Sequence, residues 1–428
     1  MKLWEKGQST NKMVEQFTVG KDRELDLQIA EYDLEASKAH GKMLNKVGLL
    51  ENEEWEQLQE QLDRMLEQLQ KGEFIIEEKF EDVHSKIEYE LTQELGETGK
   101  KIHAGRSRND QVLVCLHLYV KDQIEEIKKL AKPLFEQLIA LSDTYKDILI
   151  PGYTHMQVAM PSSFGLWFGA YAESLVDDLH QLNAAKKVAD QNPLGSAAGY
   201  GSSLPLDRTM TTELLGFETL KYNSVAAQMS RGRLEQFTAF GLSAVAGTLS
   251  KMAMDVCLFC NQNYDFISFP EELTTGSSIM PHKKNPDVFE LVRAKCNDLQ
   301  ALPNELTMIT NNLPSGYHRD YQLMKEKLFP AVETLKSCLE ITRLMLEHIQ
   351  VKDNIVEAPK YKYLFTVEEV NKSVKTGTPF REAYRQVAEK IQEEQFEPNF
   401  EINHSHEGSI GNLCNNQIKE KFMQAYSL

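Results

Sequence analysis

From Asp110 to Lys146 apolar residues recur every three or four positions, at Leu113, Leu116, Val120, Ile124, Ile127, Leu130, Leu134, Leu138 and Leu141. That spacing puts them on one face of a helix and predicts a long rod. Pro133 should kink this rod rather than end it. A second rod is predicted from about Ser162 to Ala189 on Phe164, Trp167, Tyr171, Leu175, Leu179 and Leu182, with Ser162 as its N-cap. A third runs from about Arg233 to Gln262, and its middle, residues 239–247, is rich in small residues. Glycine there weakens a helix, so close approach of neighbouring helices is expected to offset the cost. A fourth rod is expected over 288–312 and a fifth over 319–350. Ahead of them, 24–47 and 52–70 carry helical spacing (Leu58, Leu62, Met65, Leu66, Leu69), and a short helix is predicted over 83–95. Its N-terminal side, Glu81-Asp82-Val83-His84, mixes acids and an imidazole. A loop follows from Gly96 to Gly105, and residues 355–428 read as shorter amphipathic helices.

With hardly a strand pattern, this is an all-α chain built on a long central helical bundle. Three domains are expected: residues 1–105, residues 106–354 with the rods, and residues 355–428.

Composition narrows the function. At 428 residues the chain can bury a large core, and 41% hydrophobic with 26% charged residues is ordinary for a globular protein. A net charge of −17 argues against nucleic acid as a partner but not against a small anionic substrate, because local lysines and arginines decide that. No apolar run approaches the roughly 18 residues of a membrane span, and Met1-Lys2-Leu3-Trp4-Glu5-Lys6 lacks a signal peptide's apolar stretch. No membrane role and a cytoplasmic location are therefore expected. Cys257 and Cys260 form a C-x-x-C without a second pair, in an apolar helical setting, which reads as packing rather than zinc or redox work. His404 and His406 read as surface.

The chemistry gathers at the rod ends. Residues 274–287, Thr-Thr-Gly-Ser-Ser-Ile-Met-Pro-His-Lys-Lys-Asn-Pro-Asp, have no helical or alternating period and lie between two rods. Gly276, Pro281 and Pro286 prevent regular structure, and Ser277, Lys283 and Asn285 offer a hydroxyl, a cation and an amide. A site that must hold a carboxylate needs such groups. His103 to Asp110 places Arg106, Arg108 and Asn109 beside the first rod's N-terminus, where anions are favoured. Gly152-Tyr153-Thr154-His155-Met156-Gln157 is read as a loop between the first two rods. Residues 314–325, with Tyr317, Gln322 and Lys325, join the fourth and fifth.

The 274–287 loop resembles the signature of the fumarase/aspartase superfamily, all-helical tetrameric lyases that release fumarate. Three further clusters resemble motifs of the argininosuccinate lyases: His103-Ala104-Gly105-Arg106-Ser107-Arg108-Asn109-Asp110-Gln111, Gly152-Tyr153-Thr154-His155-Met156-Gln157, and Pro314-Ser315-Gly316-Tyr317 with Asp320, Gln322 and Lys325. The chain departs from that pattern at Leu3-Trp4-Glu5-Lys6-Gly7-Gln8, at Gly20 where a serine is usual, at Val158 and Met160, over Ser230-Arg231-Gly232-Arg233, and at His282. These departures bear on the amino-acid end of the substrate and not on the elimination.

The resemblance implies cleavage of argininosuccinate to arginine and fumarate, with Ser277 as base and Lys283 and Asn285 holding the carboxylate on which charge grows. His155, paired with Glu290, is the implied general acid or relay. Thr154, Arg108 and Asn109 are the implied ligands of the succinyl carboxylates, with Tyr317, Gln322 and Lys325 nearby. No metal or organic cofactor is implied. A homotetramer with active sites shared between subunits is. Asn109 starts the first rod and His155 lies beyond its end, so an antiparallel neighbour is needed to bring the two together. Three alternatives remain open: an adenylosuccinate lyase, which fits Ser277 and His282 but not the 103–111 and 314–325 clusters; a lyase for an N-acylated argininosuccinate; and a non-catalytic structural protein. Fumarate release from the competing substrates separates them.

Overall fold

The computed structural model describes residues 11–428, so the departure at residues 3–8 lies outside it. Helices dominate the described residues, and three two-stranded pairings are the sheet structure among them. Contacts divide the chain into two compact units. One comprises the residues up to Ile127 with Gln181–Ser243 and Leu299–Thr334. The other comprises Lys128–His180, Ala244–Asp298 and Leu335–Leu428.

The rods form largely where apolar spacing puts them. The first is the Arg108–Thr144 helix, with Pro133 inside it. Ser107 caps it: Ser107 Oγ accepts from Asn109 N at 3.3 Å, and Asp110 Oδ1 accepts from Ser107 N at 2.8 Å. Asp110 Oδ2 also accepts from Gly195 N at 3.0 Å and Ala197 N at 2.9 Å, tying the glycine-rich loop to this helix start. Burial drives the Asp110 carboxyl up to about 6 although these amides favour its charge.

The second rod is Phe164–Ala189, capped by Ser163 rather than Ser162: Ser163 Oγ accepts from Leu166 N at 3.1 Å. Ser162 lies in a strand instead, opposite Ile150. The third rod, Arg233–Phe259, is the one described helix long and apolar enough to cross a membrane. Leu234, Leu242, Val245, Leu249 and Met252 on it are buried, as in a core helix, while Phe240 and Met254 remain 50% and 42% exposed. The expected fourth rod is broken into Asp287–Leu299 and Leu302–Thr310, because Pro303 starts a new helix. The fifth starts as a 3₁₀ turn at Arg319–Gln322 and continues as Leu323–Glu347. The expected loop from Gly96 to Gly105 contains a short helix, Glu97–Lys101.

The main departure is the segment read as an interhelical loop. Leu149–Thr154 and Gln157–Ser163 are antiparallel strands, with Thr154 opposite Gln157. His155 and Met156 form the turn at φ 55° and 60°. A two-residue turn with both residues left-handed matches strand twist, but its usual residues are Asn, Asp and Gly. Holding His and Met there costs about 1–2 kcal/mol each.

Near the middle of the third rod, a Cβ added at Gly241 would lie 3.1 Å from Leu182 Cδ2 and 3.4 Å from Leu182 Cα. Gly241→Leu should overpack this contact and cost about 1–3 kcal/mol, seen as a lower thermal midpoint. An unchanged midpoint would show that the two helices can separate freely here.

Candidate active site

Each unit carries its own part of the chemistry. In the first, Arg108, Asn109, Tyr317, Gln322 and Lys325, all singled out from sequence, line one pocket, together with Asp22, Asp26, Glu81, Asp82, His84, Arg231 and Arg319.

The pocket is internally paired. Lys325 is buried and its ammonium lies 2.8 Å from Asp22 Oδ1 and in contact with Asp26. Burial opposes the Lys325 charge, but the two carboxylates outweigh it and hold the amine above its usual range. Asp22 is pushed up to about 6 by its own burial, which Lys325 only partly offsets. Arg108 Nη1 lies 3.2 Å from Asp82 and 3.5 Å from Glu81, and its Nη2 donates to Ser85 Oγ at 3.0 Å. Asp82 in turn caps the Val83–Leu95 helix through Ser85 N. Arg319 Nη2 donates to Glu81 Oε1 at 2.7 Å and to Thr18 O at 2.9 Å. Gln322 Nε2 donates to Thr18 O and Val19 O, both at 2.9 Å. The polar ends of Gln322 and Lys325 are therefore already engaged within the chain.

Behind the pocket wall His84 Nδ1 meets Asp33 Oδ2 at 2.8 Å, both buried. Burial disfavours the imidazolium, yet Asp33, with Asp82 and Asp26, raises its pKa. Asp33 is held low against its own burial by His84 and Arg106. Asp33, His84 and Cys115 bring ligand atoms close enough to hold a metal ion. The direct His84–Asp33 hydrogen bond and the neighbouring Arg106 charge explain the cluster without one.

The acids Asp22, Asp26 and Asp33 escaped the sequence reading because nothing in their spacing marks them as partners of Lys325 and His84. Arg231 was visible only as a departure from a motif.

In the second unit Thr154 and His155 stand at the hairpin tip, exposed. Ser277, Lys283 and Asn285 share a loop closed at its base: Asn285 N donates to Thr275 O at 2.8 Å, and Thr275 N lies 3.5 Å from Asn285 O. Inside it Ser277 Oγ accepts from Ile279 N at 3.3 Å and Met280 N at 3.1 Å. Two amide donors on one hydroxyl oxygen favour its anionic form. Asn285 Nδ2 points back at Thr275 Oγ1 and Gly276 O, both 3.4 Å. Glu290 sits on the Asp287–Leu299 helix that follows, exposed. No hydrogen bond or ion pair joins it to His155 among the described residues. Cys257 and Cys260 are free thiols, both raised by burial, with Cys260 at about 12. His404 Nε2 lies 3.0 Å from Glu368 Oε1.

Comparison with known proteins follows the same lines. The family described as Lyase matches residues 5–300. Argininosuccinate lyase of Bacteroides thetaiotaomicron is 56% identical over 423 residues, spanning 99% of this chain and 95% of the relative. That of Thermotoga neapolitana is 41% identical over 394 residues, spanning 92% and 99%. Among solved structures, EDDS lyase in complex with formate superposes with a TM-score of 0.79 at 21% identity, covering 98% of this chain and 90% of that one. Class II fumarase from Schistosoma mansoni gives 0.72 at 16% identity, covering 89% and 93%. These two likenesses establish the fold alone. Identity of this extent over nearly the whole of both sequences is decisive: the chain belongs to the argininosuccinate lyase family.

Proposed function

We propose that this protein cleaves argininosuccinate into arginine and fumarate by β-elimination. The observation that carries the chemistry is the closed 275–285 loop, in which two backbone amides converge on Ser277 Oγ. The proton to be removed sits on a carbon beside a carboxylate and is weakly acidic, so the base must be an oxyanion. Ile279 N and Met280 N, aided by the nearby Lys283 charge, make a serine oxyanion accessible.

In the proposed step Ser277 takes that proton, and the electron pair left on carbon moves onto the neighbouring carboxylate as an aci-carboxylate. Lys283 and Asn285 stabilise the added charge. Collapse of this intermediate breaks the bond to the guanidino nitrogen, which takes a proton from His155, with Glu290 as the partner of that imidazole. Fumarate and arginine are the products. Thr154, Arg108 and Asn109 hold the succinyl carboxylates, while Tyr317, Gln322 and Lys325 shape the other end. Because Gln322 and Lys325 are engaged within the chain, their part is to fix the pocket's form as much as to touch substrate.

We also propose a homotetramer with shared sites. The Arg108–Thr144 helix has 37 residues and is about 55 Å long at 1.5 Å per residue. Asn109 lies in its first turn and His155 in the hairpin after it, so an amino-acid-sized substrate needs a second chain to reach both. The exposure of His155, Lys283 and Glu290 in the single chain supports the same reading, as do the uncovered Phe240 and Met254.

Fumarate has a strong ultraviolet absorbance, so its release from argininosuccinate tests the activity directly. Ser277→Ala should lower kcat by about 10²–10⁴-fold with substrate affinity nearly unchanged. A variant retaining more than a tenth of the wild-type rate would mean that another residue is the base. Lys283→Met should damage both kcat and KM, because its charge acts in the ground state and the transition state alike.

Asn109→Ala and His155→Ala should each be inactive alone. Refolded or expressed together, they should form mixed tetramers in which some sites carry both wild-type residues, and part of the activity should return. Verified mixed tetramers as dead as their parents would rule out shared sites.

A further inference from the structure

Once the internal pairs of the first unit's pocket are made, two lining side chains keep a hydrogen-bonding nitrogen without a partner: His84 through Nε2 and Arg231 through Nη1. His84 is a single donor already bound to Asp33. Arg231 is different. Only 4% exposed, it is held on two sides: Nη2 donates to Tyr321 O at 2.8 Å, and Nε lies 3.0 Å from Glu235 Oε1. Glu235 is itself fixed, since its Oε2 accepts from Gly232 N at 2.7 Å. Gly232 adopts φ +85°, and a Cβ there would meet Thr310 Cγ2 at 3.0 Å and Tyr321 Cε1 at 3.1 Å, so the backbone beside Arg231 has little freedom. The guanidinium is thus pre-positioned, buried and missing one acceptor. A buried charged donor left without an acceptor is costly, so a ligand that supplies one gains strongly.

Beside it stands the opposite chemistry. The Asp22 carboxyl lines the same pocket and lies within electrostatic reach of Arg231. An α-amino-acid head group carries a carboxylate and an ammonium two bonds apart. It needs one fixed cationic donor and one anionic acceptor side by side. A succinyl group carries carboxylates only, and the carboxylates of this pocket would repel it unless each charge met a donor to spare.

We propose that Arg231 anchors the amino-acid end of the substrate, its free Nη1–H taking the α-carboxylate while Asp22 receives the α-ammonium. This rests on reading the pocket as the substrate's, and it gives a role to a residue in the 230–233 segment where the chain departs from its family's motif.

The test uses arginine and agmatine, which is arginine without its carboxylate, with binding measured by calorimetry so that the result does not depend on turnover. The wild-type protein should bind arginine at least about tenfold more tightly than agmatine. Arg231→Met should abolish that preference by weakening arginine while leaving agmatine within about twofold, and fumarate affinity should not move. A purely structural role would weaken all three ligands together. If Arg231→Met fails to fold because Glu235 is left buried and unpaired, the double variant Arg231→Met/Glu235→Gln removes that charge as well and is measured instead. A wild-type protein with no preference for arginine over agmatine overturns the proposal without any variant, as does a folded variant that keeps the preference. Absence of fumarate release from argininosuccinate in the wild type would instead sink the reading of the function, whatever the binding ratio.

Discussion

The first unit depends on one buried cation. Lys325, near the start of the Leu323–Glu347 helix, is drawn between Asp22 and Asp26, about three hundred positions earlier in sequence. A lone ammonium could not stay charged at that depth, and two lone carboxylates could not stay ionised there either. Each makes the others tolerable, and removing one partner from such a set typically costs about 3–5 kcal/mol. Asp26 extends the set by accepting from Val83 N at 3.3 Å, next to Asp82, the cap of the following helix, and Asp82 pairs with Arg108 at the start of the longest rod. One charge-compensated chain therefore sets the entry points of three helices, and the pocket is the space those entry points leave.

The second unit is built on the opposite principle. Its reactive groups are exposed or half-exposed, and backbone geometry rather than charge pairing holds them. The 275–285 loop is closed by a bridge at its base and by amides folded back onto Ser277 Oγ. The His155–Met156 turn uses left-handed backbone that neither side chain favours. Such devices leave side chains free to meet a substrate, whereas the paired pocket meets it with few free groups. Each suits its part of the chemistry: a base and an acid must change protonation state, and anchors must not.

How much of this was legible follows from what kind of constraint each feature is. The rods could be read because a helix writes its buried face into the sequence every three or four residues. The 274–287 loop could be read because Gly276, Pro281 and Pro286 interrupt that rhythm. The hairpin at 149–163 could not: Pro151, Gly152 and Pro161 break strand alternation, and a His-Met turn lacks the glycine or asparagine that marks such turns. The split at Pro303 was written in the chain but was outweighed by the apolar run on either side. Of the site, the arginines, amides and hydroxyls at rod ends were visible as local clusters. Asp22, Asp26 and Asp33 were not, since a carboxylate gains its meaning only from the cation that folding brings beside it. Arg231 shows a subtler limit. Its segment attracted notice only because it differs from a motif, and its environment, with one nitrogen unanswered, exists only in three dimensions.

Charge accounting in the pocket explains why an acidic protein can handle a substrate rich in carboxylates. Arg108, Arg231, Arg319 and Lys325 face Asp22, Asp26, Glu81 and Asp82, with the His84 imidazole tied to Asp33 behind them. The lining is close to neutral whatever the −17 of the whole chain. A carboxylate entering such a site gains little from net field and must find a particular unused N–H. Recognition then depends on geometry, because each paired donor would have to abandon a buried partner to accept a new one. A pocket of this kind discriminates by where its vacant donors lie and not by how positive it is. Product carboxylates are also released without the pull of a strongly cationic cavity, which a lyase needs if turnover is not to stall on its products.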